Sequence, residues 1–519
     1  MIGATAGSAA MYQAMSSLGF ASASTYEGPI DLQGAPRGAS VLILGAGMAG
    51  LTAAYELRNA GYKVQLLEYN ARPGGRNWTL RGGDRYTEMG GHTQQCEFDK
   101  DLYINPGPWR IPYHHHGMMH YTKLLGIPLE PFFQVNYNAY LHSSHAFGGK
   151  PQRYREVKAD YQGHVAELLA KATRQNSLEA AVTKEDQEML LESLRQWGAL
   201  DSNYAYTANP ASSDRRGYEK NPGGGLSARP IHSKPVSLHD VLDSGLWSGV
   251  ANGDTFDMQT ALFQPAGGMG RIGEAFAREL GPVIRYNAKV TDIQQDAHGV
   301  TVAFTDSREQ GAPQTVRADW CLCTIPLPIL AQIPMNVGQG MASAISAVPY
   351  AAAIKSGLQF KRRFWEEDEK IFGGITYTDL PIMNIGYPNT GFQSGGKGVL
   401  LGAYVWGLRA MEFTAMAPPE RVKKIVDYGS QIHPQYHKEF ENGVAVAWHR
   451  VPFTMGCFGM WTSATREKHY DDLCQIDGRI ALAGEHASFL GGWQEGAVTS
   501  ALDAIGRLHQ RAVAQGEKA

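Results

Sequence analysis

The chain has 519 residues, 43% hydrophobic and 19% charged. At roughly 100–200 residues per domain, that is several domains around a large core. A formal net charge of −3 lacks the basic footprint of a nucleic-acid binder or of a polybasic membrane-surface protein. No apolar run reaches the roughly 18 residues of a membrane helix, and the richest stretch, 320–333, is broken by Pro326 and Pro328.

The five cysteines (Cys96, Cys321, Cys323, Cys457, Cys474) are scattered, with no C-x-x-C pair. They read as small apolar core residues. Residues 1–23 carry no charge and are rich in Ala, Gly and Ser. They read either as an export leader cut short or as an N-terminal arm packed on the body. As the chain stands, a cytoplasmic protein is expected.

In chain order, 24–39 is an extended lead-in, and Val41-Leu42-Ile43-Leu44 is a strand buried on both faces of a parallel sheet. Residues 51–60 have helix-forming composition and Gly61 stops them. The next strand is Val64-Gln65-Leu66-Leu67, completing a βαβ unit. Residues 163–200 are helical, with Val165, Leu168, Leu169 and Ala172 on one apolar face, repeated by Leu190, Leu194 and Trp197. Thr183 and Asp186 form a capping box for the second helix, which Gly198 closes. Residues 209–236, dense in Gly, Pro and Ser, are expected to be a structureless lid, channel wall or linker. Strands follow at 284–286, 290–294, 300–304 and 320–324. The run Lys361-Arg362-Arg363 reads as a solvated hairpin between alternating strands. A last strand at 479–483 leads through a glycine-rich turn into a helix near 495–507.

Gly45-Ala46-Gly47-Met48-Ala49-Gly50 follows a strand and opens a helix, the setting in which G-x-G-x-x-G binds a dinucleotide. Gly45 allows the tight turn, Gly47 the approach of the pyrophosphate, and Gly50 the packing of helix on sheet. Met48 and Ala49 supply the helix N-terminus and its partial positive charge. Glu68 ends the second strand where a carboxylate accepts ribose hydroxyls. Arg72-Pro73-Gly74-Gly75-Arg76 puts a cation beside the phosphates. Far downstream, Ala483-Gly484-Glu485 ends a strand and leads into another helix start. Two half-sites so far apart favour FAD over NAD.

These motifs, with Gly491-Gly492-Trp493, resemble those of the flavin amine oxidases. Gly107-Pro108-Trp109-Arg110-Ile111-Pro112, the 355–365 run and Gly402-Ala403-Tyr404 make the chain similar to the L-amino acid oxidases in particular, over residues 38–510. The resemblance implies a mixed α/β fold. A Rossmann-like FAD-binding domain (38–92, 262–347, 449–514) interleaves with a mixed-sheet substrate domain (10–37, 93–150, 348–448). A helical domain is inserted at 151–261, and 1–9 is an arm or leader remnant.

It also implies roles. Arg110 clamps the substrate carboxylate, which its planar fork takes bidentately. Tyr404 gives that carboxylate a second donor. Trp493 walls the site, the Gly492 carbonyl accepts from the amine, and Trp406 and Phe256 line the side-chain pocket. Lys355, set among apolar residues, reaches flavin N5 through a water. Around FAD, Glu68 holds the adenosine ribose, Arg76 the pyrophosphate, Val290 the adenine and Glu485 the phosphate–ribityl region, with Gly107, Trp109 and Gly484 against the cofactor. The segment where some relatives carry a gating histidine reads Asn252-Gly253-Asp254-Thr255-Phe256-Asp257. The C-terminal cysteine motif for a covalent flavin is missing, so FAD is expected to be non-covalent.

The implied reaction is oxidative deamination of L-amino acids, aromatic and large aliphatic ones with broad tolerance, consuming dioxygen in a homodimer. An amino-acid 2-monooxygenase, a monoamine or polyamine oxidase and a flavin-holding scaffold stay open as alternatives. His114, His115, His116 and His120 lack a third ligand at metal spacing, so no metal is expected. They are placed near a channel mouth or behind the site.

Overall fold

The computed structural model describes residues 24–175, 177–178, 182–226, 228–308 and 311–516. The expected N-terminal arm and the whole apolar leader-like stretch, 1–23, lie outside them. Five strands form a parallel sheet in the order Ile284–Arg285, Lys63–Leu67, Ser40–Leu44, Trp320–Cys323, Ile480–Leu482. Ser40–Leu44 is central, and its Val41, Leu42, Ile43 and Leu44 are all buried because helices and loops cover both faces. The helix Met48–Asn59 packs on this sheet together with the long C-terminal helix Gln494–Gly516, which closes the cluster through Val498, Ala501, Ile505 and Leu508.

A second, seven-stranded sheet runs Gln152–Arg153, Tyr140–His142, Ile375–Thr378, Asn384–Gly386, Gly398–Trp406, Ala353–Phe360, Phe440–Ala447. All its pairings are antiparallel except that between Tyr140–His142 and Ile375–Thr378. Every residue of Ala353–Phe360 is buried, so this strand reads as a continuous run without alternation. A three-stranded meander, Ala288–Asp296, Gly299–Asp306 and Gln314–Ala318, flanks the parallel sheet. Helices Tyr154–Arg174 and Lys184–Trp197 pack against each other, and the Thr183–Asp186 capping box is present at 3.0 Å, with Gly198 as the C-cap.

Three expectations about local structure fail. On Tyr154–Arg174 the buried stripe is Gly163, Ala166, Ala170 and Thr173. Leu168 and Leu169 are 52% and 36% exposed; on the next helix Leu194 is buried with Leu190 packed beside it, as expected, but Trp197 is 47% exposed. Small residues let neighbouring chain approach closely: a Cβ on Gly163 would lie 2.3 Å from the Tyr206 ring, and one on Gly198 2.2 Å from Ala166. Residues 209–236 are not structureless. They hold the helix Pro210–Arg216, capped by Asn209 with Pro210 in its first turn, and the hairpin Tyr218–Lys220 with Ile231–His232. Lys361-Arg362-Arg363 is not a solvated hairpin. Arg363 is 4% exposed and pairs with Glu366, and Arg362 engages Glu367, Asp368 and Glu439.

No helix of the described residues is long and apolar enough to cross a membrane. The cysteines are all unbridged. Cys96, Cys321 and Cys323 are buried as expected of apolar core residues, whereas Cys457 and Cys474 are only half-buried.

Candidate active site

One cavity of about 1000 Å³ runs between the parallel sheet and the seven-stranded sheet. At one end it is lined by Gly45, Gly47, Met48, Ala49, Glu68, Gly74, Gly75, Arg76, Val290, Gly484 and Glu485. The backbone here is shaped by absent side chains. Gly45 has φ +103°, and a Cβ on Gly50 would stand 1.9 Å from the Gly45 carbonyl oxygen. Gly50 therefore lies beneath the turn, packing helix on sheet, and outside the lining. Gly74 N donates to the Ala46 carbonyl at 2.7 Å, and a Cβ on Gly75 would meet Gly47 Cα at 3.1 Å. The two glycine turns thus lie against each other. The helix Met48–Asn59 has no side-chain cap at Gly47, so its first N–H groups face the cavity as a ready anion site.

Glu68, 5% exposed, ties this end together. It accepts from Ala46 N at 2.7 Å and from Asn70 N at 2.8 Å. Arg76 donates to Glu485 at 2.8 Å and to the Cys457 carbonyl at 2.5 Å. Glu485 also accepts from Gly459 N and Gly492 N, each at 3.1 Å. An unsubstituted backbone cradle, a helix start and an arginine fit a flavin dinucleotide laid along this wall.

Farther along, the cavity is walled by Gly107, Trp109, Arg110, Lys355, Tyr404, Trp406, Gly492 and Trp493. Lys355 and Tyr404 are directly opposed on neighbouring strands, and the Lys355 ammonium lies 4.1 Å from the Tyr404 ring centroid. Its Nζ donates to the Gly107 carbonyl. Lys355 is 2% exposed, and burial, aided by the Arg110 charge, pushes its pKa down to about 7. Trp406 shares the Tyr404 face, with ring centroids 3.8 Å apart.

Arg110, 8% exposed, is surrounded by rings: Trp493 at 5.4 Å, Phe132 at 5.9 Å and Trp109 at 6.0 Å. Its Nη2 lies 2.7 Å from Met258 Sδ. A buried guanidinium held among aromatic faces on a cavity wall is built to receive a planar anion.

Phe256 departs from expectation. It is 36% exposed, stacks on His114 at 4.1 Å and is outside the cavity lining. The 3-10 turn Phe256–Met258 sends Asp257 and Met258 to the cavity instead. The histidine run lies behind the wall. His115 sits edge-on to Trp493 at 4.9 Å, and burial drives its pKa to about 3. Both ring nitrogens of the buried His114 lack a partner among the described residues.

Sequence reading missed Gln134, Leu141, Asn252, Asp257, Met258, Tyr377 and Cys457, all on the cavity wall. None stands in a motif. The only local signal is the Gly456-Cys457-Phe458 turn, where a Cβ on Gly456 would collide with Tyr350. Burial pushes the Cys457 thiol up to about 11.

The fold and this cavity define a flavin-dependent amine-oxidising class. Residues 48–508 match the flavin containing amine oxidoreductase family, and the chain belongs to it. Among curated relatives, it is 28% identical over 490 residues to the L-amino-acid oxidase of Siganus canaliculatus, covering 91% of this chain and 85% of that one. It is 27% identical over 480 residues to the L-amino-acid oxidase of Bungarus fasciatus, with 91% and 86% coverage. Among solved structures, cyclohexylamine oxidase from Brevibacterium oxydans IH-35A aligns with TM-score 0.60 and 16% identity, covering 91% of this chain and 99% of that one. A putrescine oxidase variant aligns with TM-score 0.58 and 18% identity over 93% and 99%. The mixed α/β fold with its parallel sheet is the fold of these oxidases.

Proposed function

We propose that this protein is an L-amino acid oxidase with non-covalent FAD. The overall reaction is an L-amino acid, dioxygen and water going to a 2-oxo acid, ammonia and hydrogen peroxide. The observation that carries this reading is Arg110, buried on the cavity wall beside Trp109, Trp493 and the Lys355–Tyr404 pair. A carboxylate-bearing substrate explains that guanidinium, and a simple amine does not.

Gly47, Met48, Ala49, Arg76 and Glu485 would hold the pyrophosphate stretch, with Glu68 and Val290 at the adenosine end and Trp493 and Lys355 near the ring. The bound flavin supplies the acceptor for the two electrons and the hydrogen leaving the substrate α-carbon. Arg110 and Tyr404 fix the substrate's carboxylate, and that single anchor sets which face of the α-carbon meets the cofactor. Trp109, Trp406 and Trp493 exclude water around it. Lys355, with a pKa near neutrality, holds or releases a proton on Nζ beside the Gly107 carbonyl. The homodimer, the cytoplasmic setting and the interleaved domain division belong to the same proposal, and size-exclusion chromatography tests the dimer.

A peroxide-coupled assay across L- and D-amino acids and phenethylamine, with product analysis, tests the reading. It predicts peroxide with 2-oxo acid from L-amino acids. Turnover of phenethylamine alone, or an amide as product, overturns it.

A further inference from the structure

Three buried oxygen acceptors, carried by residues of the cavity wall, have no donor among the described residues. They are Gln134 Oε1, Asn252 Oδ1 and Asp257 Oδ1, on residues 6%, 7% and 3% exposed. The Gln134 amide is oriented by its nitrogen, which donates to Tyr377 Oη at 2.7 Å and leaves the oxygen as acceptor. The segments that carry these groups meet: a Cβ on Gly253 would stand 2.7 Å from a Val135 methyl. Tyr377 and Asp257 both interact with the Arg110 charge, so the cluster lies on the arginine side of the chamber.

Buried polar atoms are nearly always paired, and an orphan costs about 1–3 kcal/mol. Three orphans of the same polarity on one wall complement a ligand rich in N–H donors. Burial raises the Asp257 carboxyl above its ordinary range, against the opposing pull of Arg110, a hydrogen bond from Thr255 and the nearby His114. The outer cavity has the same sign, with Asp243, Asp379 and Glu412 in the lining against Arg409. Leu141, Leu246, Ile375 and Trp406 also line the chamber and offer apolar surface to an aliphatic stem.

We propose that the side-chain subsite takes basic L-amino acids, seating the terminal ammonium or guanidinium on Asp257, Asn252 and Gln134. This rests on the L-amino acid oxidase reading and deepens it. Arg110 holds the acid end of the substrate and Asp257 its distal cation. Like charges elsewhere on the substrate are disfavoured.

The test compares kcat/KM for L-lysine and L-arginine with that for L-norleucine, which keeps lysine's four-carbon side chain without the ammonium. A preference of at least tenfold for a basic substrate is expected, and Asp257→Asn lowers the lysine-to-norleucine ratio at least tenfold. Equal wild-type values overturn the proposal. So does a variant ratio within twofold of wild type, because a mere effect on Arg110 strikes both substrates alike. If Asp257→Asn does not fold, Gln134→Leu is read by the same ratio, with a threefold fall expected and no change overturning it. If no amino acid is oxidised at all, anaerobic equilibrium dialysis with L-lysine and L-norleucine separates the two ideas. Selective binding of lysine upholds the subsite while the oxidase reading falls, and equal or absent binding sinks both.

Discussion

Arg76 and Glu485 meet at 2.8 Å, joining the glycine turn after the second strand of the parallel sheet to the loop before the last helix. Their side chains are 23% and 6% exposed, and both residues line the same end of the cavity. Glu485 also gathers two backbone N–H groups, so it organises this wall as well as carrying charge.

Arg76→Ala therefore weakens FAD binding. A hydrogen bond to a charged group contributes about 1.5–3 kcal/mol, so the Kd for FAD rises roughly 10- to 100-fold. Quenching of flavin fluorescence on titration into apoprotein measures it. An unchanged Kd places the Arg76–Glu485 pair in structure alone.

Arg110→Met removes the bidentate anchor while keeping a side chain that packs among Trp109, Phe132 and Trp493. Apparent KM for an L-amino acid rises on the order of 100-fold, and the bound-flavin absorption spectrum is retained. Steady-state kinetics at saturating FAD decide it, and a KM within threefold of wild type ends the clamp assignment.

Lys355 predicts a pH effect of definite sign. Its pKa is about 7 in the folded enzyme against an ordinary 10.5. Between those values the unfolded chain binds a proton that the folded one does not, so this group makes stability rise with pH across that window. Below pH 7 the folded enzyme bears the full cost of a buried ammonium. Lys355→Met removes that cost, so its Tm relative to wild type is highest near pH 6.5 and the advantage shrinks toward pH 10. Differential scanning calorimetry at several pH values checks this, and a pH-independent difference refutes the depressed pKa. The same variant loses any inflection near pH 7 in the pH dependence of kcat.

Cys457 lines the cavity, yet its thiol is held neutral at ordinary pH by burial. A neutral thiol is a poor nucleophile. Acid precipitation of the purified enzyme accordingly leaves all the flavin in the supernatant. Yellow colour retained in the washed pellet reveals a covalent link and overturns non-covalent binding.

The dinucleotide end of the site was legible in the sequence because its determinants are local. Gly45, Gly47, Gly50 and Glu68 act through turn geometry, a helix start and a strand end, all within one βαβ unit. Arg110 and Tyr404 were also legible, but only through resemblance, whereas Lys355 stood out as well by its setting in an apolar run, where a buried ammonium is costly. Composition alone does not distinguish a Tyr in a buried strand from core, and it is the register of Ala353–Phe360 against Gly398–Trp406 that puts Lys355 opposite Tyr404.

Long-range packing decided the rest. Helical periodicity at Leu168 and Leu169 pointed to a buried face, but close approach favoured the stripe of Gly163, Ala166 and Ala170. The charge of Arg363 suggested solvent until Glu366 neutralised it inside the fold. Gln134 stands far along the chain from the Asn252–Asp257 segment, and no spacing in the chain announces that their oxygens share one wall. Short-range steric rules are written in neighbouring residues, whereas the polarity of a cavity is a sum over segments that only folding brings together.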